Sequence, residues 1–403
     1  MRLVLVTVFL VYLAQMILNP IIAPLSREIG LREWQVGLMI STAALTMVLT
    51  SQAWGRRSLS WGRKPVLVTA LVIGTVATAA FALLALLGTR GLLGGATLFA
   101  LMVLTRGLGV GLAVAAVAPT AQAYIADVTP TEAERVRGMA AFGATQGMSM
   151  VAGAAIGGLL AAFGLLVPVT VVPLVLLVGT VVVLLRLRPE QRHELVPSPP
   201  RIKVSDARVW PFLLVGFGMF TALGFIQVVT GFLVQDRLGL DARSTGVVTG
   251  LSLLGAGIGM VLAQGVVVPR SGWHPRVLLR VGSLVALMAF ALLLPDLGTA
   301  GLLVALTGIG FGLGIAMPGY SAGPSLLMSK EEQGGMAGLL GATTALTFVV
   351  APTAATVLYT VDPSSPLLVA TTVMLAVVVF VLTHPRFRRS LATESAGTQT
   401  PVP

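Results

Sequence analysis

Twelve long apolar stretches, each bounded by charges or turn residues, constrain this chain more than any other feature. They lie near residues 3–24, 34–54, 66–87, 94–118, 138–162, 166–185, 210–233, 244–268, 277–294, 299–326, 336–359 and 366–383. Most have the roughly 20 residues that a helix needs to cross about 30 Å of hydrocarbon. A single segment in lipid must satisfy its own backbone hydrogen bonds, so each is predicted to be a helix. The short alternating strands of a membrane barrel are absent from the sequence. Composition agrees, with 56% hydrophobic and only 10% charged residues. A soluble domain carries about 25% charged residues. The expected fold is an all-α membrane protein of twelve transmembrane helices, with the lipid bilayer as its solvent.

The 26 basic residues give the orientation. With the N-terminus inside, the inner segments hold twenty of them, including Arg2, Arg56, Arg57, Arg63, Lys64, Arg208, Arg270, Arg276, Arg280 and Arg386. The outer segments hold five: Arg27, Arg32, Arg90, Arg237 and Arg243. By the positive-inside rule both termini are expected in the cytoplasm of a cell with an inner membrane. The net charge of +11 is thereby explained by topology, and a nucleic-acid partner is not expected. The apolar N-terminus lacks a small-residue cleavage site near residue 20, and Asn19-Pro20-Ile21-Ile22-Ala23-Pro24 reads as the end of a span.

There is no cysteine, which excludes disulfides and thiolate metal sites. His193, His274 and His384 have no ligand spacing, so neither a metal nor a cofactor is expected. An intramembrane enzyme would need paired acids, a Ser–His or Ser–Lys pair, or metal ligands within the spans, and none is present. The chain is not expected to be an enzyme.

The predicted spans fall into two sets of six. Residues 186–208, with Pro189, Pro197, Pro199 and Pro200, read as a cytoplasmic linker between bundles at 1–185 and 209–385. Residues 386–403 read as a disordered cytoplasmic tail. Short echoes relate the halves. Gly55 and Gly62 recur as Gly265 and Gly272, Gly138-Met139-Ala140 as Gly335-Met336-Ala337, and Gly143-Ala144-Thr145 as Gly341-Ala342-Thr343. Echoes at corresponding positions suggest a duplicated, pseudo-symmetric pair of bundles.

The segment Gly55-Arg56-Arg57-Ser58-Leu59-Ser60-Trp61-Gly62-Arg63-Lys64 resembles the second-loop motif of the major facilitator superfamily. Gly55, Gly62, Arg63 and Lys64 fit that motif, while Leu59 and Ser60 stand where the family has Asp and Arg. Arg106, followed by Gly107, Gly109 and Gly111, is similar to the family's fourth-helix arginine motif. Gly153-Ala154-Ala155-Ile156-Gly157-Gly158 is similar to the motif associated with its antiporters, with Ala154 in place of the usual Pro. The resemblance covers nearly the whole chain and is nearest to twelve-helix bacterial drug-efflux members. It implies two six-helix bundles around a central cavity, alternating access, and a small-molecule substrate. It also implies a gate built from Gly55, Gly62, Arg63 and Lys64, with Asp127 as the acid that pairs with the basic loop, and from Gly153, Gly157 and Gly158. In the family the missing Asp anchors the eleventh helix.

Arg106 is the only charged residue deep inside a predicted span. A guanidinium there costs roughly 3 kcal/mol on insertion scales, so it needs a partner, a wet cavity or an anionic ligand. The alternative is a structural role in hydrogen bonding to neighbouring helices. Tyr12, Gln15 and Asn19 share one face of the first span, and Gln146 and Gln227 are further intramembrane amides. These side chains either line a cavity and bind substrate or bond helix to helix. No acid lies in mid-membrane, so protons as the coupling ion would use Asp127, Asp236 or another span-end acid, or ride on the substrate. A facilitator needs none of these. The leading expectation is a monomeric secondary transporter that exports drug-like or metabolite compounds. The alternatives are an anion or carboxylate carrier with Arg106 as counter-ion and, more remotely, a non-transporting receptor.

Overall fold

The computed structural model describes residues 1–129, 132–187, 203–328 and 332–388. Among them are twelve helices long and apolar enough to cross a membrane. They are α1 (Arg2–Glu28), α2 (Glu33–Gly55), α3 (Arg63–Thr89), α4 (Gly95–Ile125), α5 (Ala141–Ala161) and α6 (Leu166–Arg186) in the first half. The second half holds α7 (Trp210–Leu238), α8 (Ala242–Ser271), α9 (Pro275–Leu292), α10 (Gly298–Ser325), α11 (Gly338–Val361) and α12 (Ser365–Thr383). Most of the 186–208 segment lies outside the described residues, as do residues 389–403 and the side chain of Leu59.

The halves repeat one another in packing. In the first, α1 packs on α5 and α6, α2 on α4, and α3 on α4 and α6. In the second, α7 packs on α11 and α12, α8 on α10, and α9 on α10 and α12, which is the same set of pairings displaced by six helices. The corners repeat as well. Gly62 (φ 94°) turns the chain from α2 into α3, and Gly272 (φ 61°) turns it from α8 into α9. Both φ values lie in the left-handed region that a side chain rarely adopts, which explains the echoed glycines.

Lipid supplies no hydrophobic drive between helices, so close packing must do the work. Small residues provide it. In the second half, a Cβ added at Gly312 would lie 2.8 Å from the Ala286 Cα and 2.9 Å from the Gly282 backbone oxygen. Backbones of α9 and α10 therefore touch directly.

Two local features differ from the sequence expectation. The first span does not end at Pro24. The helix breaks at Leu18, restarts at Asn19–Glu28 with Pro20 in its first turn, and carries Pro24 inside. Proline in a first turn forfeits no hydrogen bond, and neighbouring helices tolerate the second. The fourth span continues past residue 118, through Pro119, and its helical turns reach Val128.

Candidate functional site

The halves meet at one end and part at the other. At the end carrying the α1–α2 and α7–α8 turns, α2 packs on α11, α5 on α8, and the second piece of α1 on α7 and α8. The Ser41 hydroxyl of α2 lies 2.8 Å from the Thr353 hydroxyl and 3.2 Å from its backbone nitrogen. Across α5 and α8, a Cβ at Gly158 would be 2.9 Å from the Gly250 Cα, and one at Gly257 would be 2.7 Å from a Val151 methyl. Towards the opposite end, which carries both termini, Gly143 and Gly147 of α5, Gly265 of α8, and Gly338 and Gly341 of α11 have nothing within 4 Å of a built Cβ. The helices that touch at one end leave open space at the other.

A charged cluster caps the closed end. The Arg27 guanidinium of α1 pairs with both carboxylate oxygens of Asp236 in α7, the Nη2–Oδ2 distance being 2.8 Å. It also donates to Glu33 (2.8 and 3.1 Å) and to the Gln235 amide (3.3 Å), and it stacks on the Phe232 ring 5.2 Å away. The Tyr359 hydroxyl of α11 donates to Asp236 at 2.7 Å. One arginine of the first half thus binds α7 of the second, and Asp236 passes the link on to Tyr359 of α11. An adjacent groove of about 700 Å³ is lined by Arg27, Glu28, Phe163, Asp241, Ala242 and Arg243, among others.

At the open end one arginine of the basic loop, Arg63, finds its counter-charge within the first half. Arg63 is 4% exposed and donates to Asp127 through Nε (3.0 Å) and Nη2 (2.9 Å), and to the Ser58 hydroxyl at 2.5 Å. Lys64 makes no ion pair among the described residues, and Gly55 lies against Pro119 of α4. Asp127→Asn would leave a buried guanidinium without its counter-charge. Asp127 is itself partly exposed, so the expected loss is about 2–3 kcal/mol, at or below the lower end for broken buried pairs. A lowered thermal midpoint in detergent checks it, and Asp127→Glu should restore most of the loss.

Arg106 sits in a π-helical turn, Val103–Gly109, that packs against α2 and α3. Such turns add a residue to the helical repeat and occur often at functional positions. The side chain is 5% exposed, its Nε is fully buried with no partner, and it makes no ion pair with any described residue. Gly107 beside it touches Thr42 of α2. Of the amide and phenol side chains, Tyr12 interacts with Gln146, joining α1 to α5. The Asn19 amide reaches the Met16 sulfur at 3.3 Å across the α1 break. Gln15 and Gln227 are half-buried with no hydrogen-bond partner among the described residues. The glycines divide between two roles. Gly153 and Gly157 admit the backbone of α1 at Met16 and Ile17, within the first half, whereas Gly158 faces α8 of the second.

Sequence reasoning missed the Arg27–Asp236 cluster. The available signal was that both charges belong to the same poorly charged face of the membrane.

A family model described as Major Facilitator Superfamily matches residues 4–352. Among curated proteins, Multidrug resistance protein 2 of Bacillus subtilis is 23% identical over 276 residues, covering 66% of this chain and 66% of its own, so the match spans just under two thirds of that relative. The Tetracycline resistance protein, class C, of Escherichia coli is 27% identical over 349 residues, covering 82% of this chain and 81% of its own. Among solved structures, a bacterial homolog of the human lysosomal transporter Spinster, in an inward-facing and occupied conformation, superposes with a TM-score of 0.67 at 15% identity. That match covers 96% of this chain and 94% of the other.

Proposed function

The chain belongs to the major facilitator superfamily of membrane transporters, and we propose that it exports amphipathic drug-like or metabolite compounds by alternating access. The observation that carries this reading is the asymmetry of contact, with the halves joined at one end and separated at the other. A non-transporting receptor has no need of two bundles meeting across bare glycine and a breakable ion pair. The names of the two curated relatives favour efflux of drug-like molecules. The excess of basic residues at the end carrying the termini favours a cytoplasmic location for that end. In that orientation the molecule is open to the cytoplasm and closed outside. Residues 1–185 and 209–385 act as the two moving bundles, with 186–208 as their tether. The proposed working unit is a monomer in the inner membrane, since the two bundles that alternating access moves both belong to one chain.

A second reading is favoured by one observation, the buried Arg106 without a partner. An anionic solute or a carboxylate would supply the missing counter-charge. Antiport with protons remains part of the proposal, through Asp127, another span-end acid or the substrate itself.

The test is flux in proteoliposomes containing the purified chain. Cationic and neutral amphipathic compounds and organic anions are each supplied with and without a pH gradient. The proposal expects saturable movement of at least one class, accompanied by a pH change where protons are exchanged. It fails if no class moves under any gradient.

A further inference from the structure

We propose that the corner where α8 turns into α9, at the end carrying the termini, holds the phosphate of an anionic phospholipid between Arg276 and Arg280. Two guanidinium groups there make no ion pair among the described residues. Arg276 and Arg280 are one helical repeat apart and so share a face of α9. Arg276 Nη1 and Arg280 Nε are both fully buried with no hydrogen-bond partner. One other nitrogen of Arg280, Nη2, donates to the Phe387 carbonyl at 2.6 Å. A buried donor left unsatisfied costs about 1–3 kcal/mol, and more when charged.

No described acid pairs with them. At the same end of the second half, Asp206 and Glu332 are both taken by Arg208, each at 2.8 Å. The first turn of α9 contains no acidic residue and no side-chain cap, so the positive end of its dipole adds to the excess. The corresponding corner of the first half shows what is missing. There Gly62 leads into Arg63, which has Asp127 from the end of α4. The described residues that end α10, Ser325-Leu326-Leu327-Met328, include no carboxylate in its place.

The occupant is a lipid because of where the corner lies. Trp273, 40% exposed, stands immediately before α9, and Trp210 packs on Phe380 and His384 nearby. Tryptophan at span ends marks the headgroup level, where basic pockets between helices bind acidic headgroups. A phosphodiester there presents acceptor oxygens to both orphaned N–H groups.

The experiment uses the full chain, with native mass spectrometry counting retained phosphatidylglycerol against phosphatidylcholine from mixed micelles. The wild type is expected to retain phosphatidylglycerol preferentially. R276Q should retain about fivefold less, the worth of one basic side chain at an anionic surface. R276K should retain the lipid because it keeps the charge, and R57Q, an exposed arginine just beyond α2 in the first half, should behave as wild type. Equal retention in R276Q and wild type overturns the proposal. So does an equal loss in R57Q, or a loss in R276K that matches R276Q. Displacement of the lipid by millimolar inorganic phosphate would overturn the lipid assignment in favour of a free-anion site.

Discussion

Gly158→Leu is expected to abolish transport while the protein remains folded, with its closed end held apart. Gly158 and Gly250 lie where α5 and α8 cross, and a Cβ on either would approach the other's Cα to 2.9 or 2.5 Å. A leucine cannot fit between two backbones at that separation. Overpacking costs typically about 1–3 kcal/mol, and here the cost falls only on the state in which the two helices touch. In a state with these helices apart, the clash with Gly250 would be relieved. A penalty confined to one state shifts the equilibrium by about 5- to 150-fold. Gly250→Leu should behave alike, and the double variant should be little worse, because both obstruct one crossing. Gly157→Leu is the contrast. Its side chain would strike the Ile17 backbone within the same half, so poor folding rather than trapping is expected. The chain has no cysteine, so Phe163→Cys and Ala242→Cys can be spin-labelled without background across the groove at the closed end. Label separation should lengthen in the Gly158→Leu background and flux should vanish. An unchanged distance distribution with wild-type flux would show that the crossing is not the gate.

The same contacts show what the sequence made legible and what it did not. The twelve spans were readable because apolar length is a local property, and lipid leaves no alternative to a helix. Gly62 and Gly272 were readable as a repeat because a left-handed corner demands glycine in both halves. The Arg27–Asp236 pair was not, because its partners are 209 positions apart and no periodicity links them. Nor was the π-helical turn around Arg106, since its extra residue leaves no mark on hydropathy. Pro20 and Pro24 misled for a physical reason: the rule that proline ends a helix presumes water to take up the freed carbonyl, and inside a membrane protein neighbouring helices hold the segment instead. The missing Asp of the second-loop motif also gains a context. The end at which that motif sits is the open one, and the halves are joined at the other end through Arg27, Asp236 and Tyr359. In this conformation closure does not use the loop.

Arg106→Met is expected to make the protein more stable and nearly inactive. Methionine follows a similar path through the core without a charge. It removes a guanidinium that is 5% exposed and has no partner for its Nε. A charged side chain inside a span costs about 2.5–3.5 kcal/mol on insertion scales. Allowing for lost packing, a gain of about 1–2 kcal/mol and a thermal midpoint a few degrees higher should follow. Transport should fall by about 100-fold or more, as when one partner of a buried charge contact to a ligand is truncated. Opposite signs for stability and activity are what a binding residue produces, because its cost is recovered only when solute is bound. A residue that holds helices together would lose stability and activity together. Arg106→Lys then separates the two transport readings. If Arg106 is a counter-ion, lysine should preserve part of the anion flux. A loss that spares neutral and cationic solutes in Arg106→Met would assign the residue to anion recognition, and an equal loss across all classes would remove that role. A lower midpoint together with an equal loss of flux in every class would return Arg106 to the helix packing around it.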